Sequence, residues 1–261
     1  MTIAALRTAD GVPIGDLGLE IARGSVPGVT GDIKFGDNEA VGTSEITIWG
    51  VPGTVDNYFP ANAVTASISS SDVDDSSAGA GARTGTIFYL DDNGDEGTED
   101  FTLNGQTPVA LANQMKRVNR IEIDSAGASG FNEGTIYLFE GTATLGVPDD
   151  LTKIINGITI DHNQTTSSFW TCPNKKRGYI RSALATSAGN KNATAKMRVR
   201  DNGTFKTKID IDLLNNGIRL DPFIPFVMTA GDDMRVTGKV DTGTGRVSAN
   251  WTTIIEDWDR I

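Results

Sequence analysis

The 261-residue chain has one cysteine and one histidine, Cys172 and His162. A lone thiol makes no intramolecular disulfide, and one Cys with one His cannot supply a Cys/His zinc site. Positive charge is also short: 23 Lys+Arg stand against 34 Asp+Glu, a formal net charge of −11. That balance argues against nucleic acid or an anionic membrane as a partner of the whole molecule. No window approaches the roughly 20 apolar residues that span a bilayer. The start, Met1-Thr2-Ile3-Ala4-Ala5-Leu6-Arg7, lacks the basic region and apolar run of a secretory signal. A soluble product made in a cytosol is expected, and the Asn-x-Thr triplets at Asn163, Asn192, Asn202 and Asn250 then read as by-products of composition rather than glycan acceptors.

What is abundant is turn and strand chemistry. Thirty Gly and many Thr, Ser, Asn and Asp favour short strands and frequent turns over long helices. Period-two alternation at 44–49, 64–68 and 84–90 predicts strands, with more near 98–103, 118–123 and 134–139. Only 108–115 reads as a helical turn or two. Asn-Gly steps at Asn93-Gly94 and Asn104-Gly105 supply the positive φ of tight hairpins. Past 150, strands are predicted at 154–160, 178–186, 193–200, 204–211, 222–228, 234–240 and 246–255, a density expected of a sandwich or jelly roll. The fold class expected is all-β: two antiparallel β-sandwich, jelly-roll-like domains behind an extended N-terminal arm, laid against its own domain or against a neighbouring subunit. The arm takes residues 1–44, the first sandwich 45–147 and the second 148–261, divided where the Pro/Gly/Asp cluster at 146–150 meets a change in charge sign. Residues 1–150 hold 7 Lys+Arg against 23 Asp+Glu, and residues 151–261 hold 16 against 11.

Chemistry is thinly represented. His162 follows Asp161 and precedes Ser167 and Ser168, but no Gly-x-Ser-x-Gly elbow is present and adjacency alone does not make a triad. Asp91, Asn93 and Asp95 have calcium-loop spacing, yet Glu96 stands where the loop wants Gly and Thr102 where it wants a bidentate Glu. A charged Asn-Gly hairpin accounts for the same residues. No catalytic residue, metal or cofactor is therefore expected. The residues that invite an interaction are basic: Lys175, Lys176 and Arg177 in one run, and Lys196, Arg198 and Arg200 alternating on one face of a strand. They read either as a solubilising face or as a docking surface for an acidic partner. Interleaved aromatics, which a single-strand nucleic-acid platform needs, are missing.

The run from Asp74 through Ala78-Gly79-Ala80-Gly81 to Thr86-Ile87-Phe88-Tyr89-Leu90-Asp91, with Glu99-Asp100-Phe101-Thr102-Leu103 and Arg117-Val118-Asn119-Arg120, resembles a module of virion structural proteins of tailed bacteriophages. The segment from Gly178-Tyr179-Ile180 through Arg198-Val199-Arg200 to the strand at 251–256 is similar to the sandwich that follows it there. The resemblance spans about 60–260 and implies assembly without catalysis: a capsid accessory protein of the cement, decoration or head-fibre kind. Its implied partners are other virion proteins such as the major capsid protein, its implied place is the virion after synthesis in the host cytoplasm, and a homo-oligomer, as a trimer, is expected on symmetry grounds. A tail or baseplate component and a carbohydrate-binding host-recognition module are the alternatives, the latter with Trp49, Trp170, Trp251 and Trp258 as candidate platforms.

Overall fold

The computed structural model describes residues 16–51, 56–188, 191–201, 203–214, 217–220 and 225–258. The short helix α1 (Leu17–Ala22) opens on Asp16, whose carboxylate accepts from the Leu19 N–H and satisfies one of the free donors of a first helical turn. Strands β1 (Val29–Val41), β2 (Ile46–Thr47), β3 (Val64–Ser70), β4 (Ala82–Leu90), β5 (Glu96–Thr102), β6 (Val109–Met115), β7 (Arg117–Ala126) and β8 (Ile136–Phe139) follow. The small hairpin of β9 (Ala143–Thr144) and β10 (Val147–Pro148) leads through a single 3-10 turn to β11 (Ile154–Ile158) and β12 (Phe169–Thr171). The chain continues with β13 (Lys176–Ser187), β14 (Asn192–Asp201), β15 (Thr204–Leu214), β16 (Ile218–Leu220), β17 (Phe226–Thr229), β18 (Asp233–Val240) and β19 (Gly245–Asp257). Every ladder among them is antiparallel, so the all-β expectation holds.

Two five-stranded sheets carry the larger core. One runs β1-β19-β13-β16 with β17 also on β13; the other runs β12-β18-β14-β15 with β2 also on β18. β2 pairs with Thr237 and Gly238, while β12 pairs with the stretch from Asp233 to Arg235 on the same strand. The two short strands thus lie end to end along one position, interrupted by the segment between them. Buried Ile48, Trp170, Ile180, Met197, Leu213, Val236 and Trp251 form one cluster drawn from both sheets and the residues flanking them.

The intervening segment builds a second core between the sheets β11-β8-β3-β6 and β5-β4-β7, with Ile68, Ile87, Phe101, Leu111, Ile121, Leu138 and Ile158 buried together. Side chains stitch the sheet edges to each other. The Glu99 carboxylate on β5 accepts from the Ala112 and Asn113 N–H groups of β6 at 2.6 and 3.0 Å. Asn156 on β11 donates to the Val118 carbonyl of β7 at 3.0 Å. A third cluster, Trp49, Val51, Tyr137, Phe139, Ile154 and Phe169, joins the two larger ones.

Several expectations are corrected. The part of the expected arm that is described, residues 16–44, holds β1, which pairs with β19 from Val29↔Glu256 to Val41↔Gly245; residues 1–15 lie outside the described residues. The division at 147/148 cuts through β10, and β11, beyond it, belongs to the second core through its ladder with β8. The Gly146 turn between β9 and β10 is packed: at φ +76°, a Cβ there would fall 1.7 Å from the Ser70 carbonyl oxygen. Residues 109–115 are strand, not helix, because Leu111 and Met115 face the core while the backbone pairs with β3. Asn104-Gly105 is not a hairpin either. It carries the chain from one sheet to another, held by the Gly105 N–H on the Asp75 carbonyl at 2.8 Å. The Asn93-Gly94 hairpin between β4 and β5 is present, with Gly94 at φ +82°.

Candidate interaction surfaces

Alternation along β14 places Lys196, Arg198 and Arg200 opposite the core that takes Ala195, Met197 and Val199. That face is occupied from within the chain. Glu45 lies 2.5 Å from Arg198 and 3.9 Å from Lys196, and Asp210 lies 3.6 Å from Lys196. Arg200 donates through Nε to Asp233 at 2.8 Å, and its guanidinium stands 4.9 Å from the Phe59 ring and 5.0 Å from the Phe205 ring. Arg235 is directly across the ladder from Arg198, an arrangement of like charges that repels. It is neutralised by Asp56 at 3.1 Å and stacks on Phe205 at 4.3 Å.

The other basic run docks against an acidic hairpin. Asn174 donates its N–H to the Gly94 carbonyl at 2.7 Å and its side-chain amide to Asp95 at 3.0 Å. Lys175 takes φ +58° in the turn, Lys176 reaches Glu96 at 2.8 Å and Asp257 at 3.8 Å, and Arg177 lies over the Trp258 ring. Together with Arg246–Asp37 at 2.8 Å, the pairs to Glu45, Asp56 and Glu96 join bases of the second half to acids of the first, while Arg117–Asp233 at 2.7 Å joins the halves with the signs reversed. The opposite charges of the two halves meet inside the molecule.

Two buried ionic groups at the seam between the cores were not marked by the sequence. Asp233, 2% exposed, accepts from Arg117 on β7 at 2.7 and 3.2 Å, from Arg200 on β14, and from the Thr171 hydroxyl at 2.5 Å. Burial pushes its carboxyl up, but donation from Arg117 and Thr171 and the nearby Arg200 charge hold it below the usual aspartate value. Lys34, 6% exposed, donates to the Asn119 carbonyl at 2.6 Å, with Asp32 3.6 Å away and Arg120 paired to that same Asp32. Burial pushes the Lys34 ammonium down to about 8. In 29–35 the apolar residues Val29, Ile33 and Phe35 alternate on the face opposite Lys34, so the pattern points its lysine outward rather than inside.

The remaining candidates have local roles. Asp91 accepts from the N–H groups of Asn93 and Asp95 at 2.8 and 2.9 Å, which shapes the hairpin. Among the described residues no group of three or more His, Cys, Asp or Glu is placed to hold a metal ion. His162 is exposed, with Nδ1 2.7 Å from the Ile160 carbonyl, whereas Ser168 is buried and donates to Val236. Cys172 is buried, its thiol pushed up to about 12 by desolvation. Of the four tryptophans, Trp49, Trp170 and Trp251 are buried, and Trp258 is 39% exposed beneath Arg177. No helix among the described residues is long and apolar enough to cross a membrane.

No family model matches the chain, and no curated protein matches it. The likeness to solved structures is weak. One, described as the structure of infectious bursal disease virus Gt strain, is 13% identical over 89% of this chain and 73% of that chain, with a TM-score of 0.21. Another, the crystal structure of the infectious bursal disease virus VP2 subviral particle, is 11% identical over 87% of this chain and 80% of that one, with a TM-score of 0.12. TM-scores this low establish no shared fold.

Proposed function

We propose that the chain is a non-enzymatic structural protein of a bacteriophage virion, a capsid accessory protein built on a jelly roll. One observation carries the reading. Counting β2 with β12 and β16 with β17, the two five-stranded sheets offer eight strand positions, and these pair first with eighth, second with seventh, third with sixth and fourth with fifth. A single antiparallel ribbon rolled over on itself has that nested order. It is the organisation of double-sheet jelly rolls, an architecture used by viral capsid and lectin domains. Fold alone does not carry function; the likeness of 60–260 to phage virion modules supplies the phage part of the reading. The segment between β2 and β12 then projects from the jelly roll as an insertion, and the assembly is a homotrimer on the particle.

The test is to purify the particles of the virus that encodes the chain, quantify it by peptide mass spectrometry, and image particles labelled with antibody against it. The reading predicts many copies per particle and label distributed over the head. Label confined to the tail would replace the capsid assignment, and particles free of the chain would contradict the whole reading.

A further inference from the structure

The outer face of the sheet β1-β19-β13, away from its core, carries an apolar groove of about 630 Å³ walled on one side by α1. Leu17 and Ile21 of the helix, Val29 and Ile33 of β1, and Ile254 of β19 line it. The groove is open: Ile33 is 65% exposed, and Leu19 on the neighbouring helix surface is 46% exposed. The apolar row continues across the sheet, because Ile254 pairs with Tyr179, which pairs in turn with Val227, itself 53% exposed. Two charged residues line the groove: Asp32, whose carboxylate is already taken by Lys34 and Arg120, and Arg181 at the rim. It is the extra residue of a β-bulge in β13, between Ile180↔Thr253 and Ser182↔Thr252. Bulges re-aim a side chain at a cost in ladder hydrogen bonding and concentrate next to functional sites. This one sets both Arg181 and Ser182 outside, between the buried Ile180 and Ala183. Lys176, Arg177, Lys196, Arg198 and Arg200 are matched within the chain, whereas Arg181 has neither an ion pair nor a side-chain hydrogen bond among the described residues.

We infer that this groove is a docking site for an extended apolar segment of a partner protein that carries a carboxylate, which the Arg181 guanidinium receives. Charge complementarity names the acid, since an unpaired guanidinium beside an apolar surface lacks only a fork-shaped acceptor. The openness names a polypeptide: a small amphiphile needs walls that bury most of its surface, and a wall whose central isoleucine stays mostly exposed does not provide them. Contiguous exposed apolar surface of this kind marks an interaction site. The inference stands on the groove alone and does not depend on the virion reading.

The test uses the full chain and an array of octapeptides made of Leu, Val, Ile and Ser, each with one Glu, Gln or Lys moved through every position. Glu-containing peptides are expected to bind best. Arg181→Glu should move the preference to the Lys series, with the Glu series weakened about fivefold. Ile33→Ser, on a largely exposed residue, should weaken both series about tenfold while circular dichroism and melting stay unchanged. Equal binding of the Glu and Lys series, or binding indifferent to both substitutions, would overturn the inference. So would binding of dodecanoate in place of the peptides, which would make the site a lipid groove. Binding that emerges only after residues 1–15 are removed would make the occupant this chain's own N-terminal segment. Self-association lost in Ile33→Ser would make the occupant a second copy. Each of these replaces the partner segment with another occupant.

Discussion

Lys34 and Asp233 make opposite predictions about pH, because one ionic group is buried at a loss and the other is matched. An unfolded lysine titrates near 10.4, whereas the folded Lys34 titrates at about 8. The folded state therefore binds fewer protons between those values, and stability rises with pH across about 8 to 10.4, by about 3 kcal/mol in total if no other group compensates. Lys34→Met should be more stable than the parent at pH 7, and the difference between the two in urea melts should shrink as pH climbs through that window. A constant difference from pH 7 to 10.5 would show that Lys34 is not held as described. Asp233 works the other way. Its carboxyl is depressed, so its contribution is present above the unfolded value and is lost as pH falls through the folded one. Asp233→Asn leaves Arg117 and Arg200 facing each other without their anion, and should cost about 3–5 kcal/mol at pH 7. Neither residue could be picked out from the sequence, since what makes each special is a partner more than 80 positions away in the chain: Asn119 for Lys34, Arg117 for Asp233.

At the scale of elements, strands whose apolar period of two faces a core were legible and those without such a face were not. β4, β14, β18 and β19 alternate against a core and fell where the pattern put them. β1 did not, although it is 13 residues long, because its apolar Val29, Ile33 and Phe35 lie on the outer face while Asp32, Lys34 and Gly36 take the inner one, where it is held by its ladder with β19 and by the seam. β6 was mistaken for helix since Val109-Ala110-Leu111-Ala112 has helix formers where only an edge strand fits. That edge is closed by Glu99, which takes the place of a neighbouring strand on two N–H groups; unpaired edges invite other chains. Glu99→Ala should destabilise the protein by about 1 kcal/mol and raise its tendency to self-associate on partial unfolding, readable by light scattering in low urea. Unchanged scattering and stability would remove Glu99 from the account. The 146–150 boundary was read from Pro, Gly and charge, and those residues are instead a hydrogen-bonded hairpin against Ser70. Limited proteolysis is thus expected to leave 146–150 intact until the whole chain opens.

For the whole molecule, the charge imbalance that suggested two modules with different neighbours is explained by their being each other's neighbours. Composition reported the imbalance and could not report that Glu45, Asp56 and Glu96 would fold onto Arg198, Arg235 and Lys176. The central claim is that the N-terminal strands complete the C-terminal sheets and that the segment between β2 and β12 is an insertion. Gly50 N–H donates to the Thr166 carbonyl at 3.2 Å, so the insertion leaves and returns at nearly one point. The most direct measurement is hydrogen exchange on two shortened chains: residues 148–261 alone, and residues 16–51 joined by a short Gly/Ser linker to 166–261. The joined chain is expected to melt in one cooperative transition and to protect the amides of β1, β18 and β19, whereas 148–261 alone, with one edge of β19 bare and β18 without β2, is expected to show no such protection. Full protection of β18 and β19 in 148–261 alone would contradict that claim.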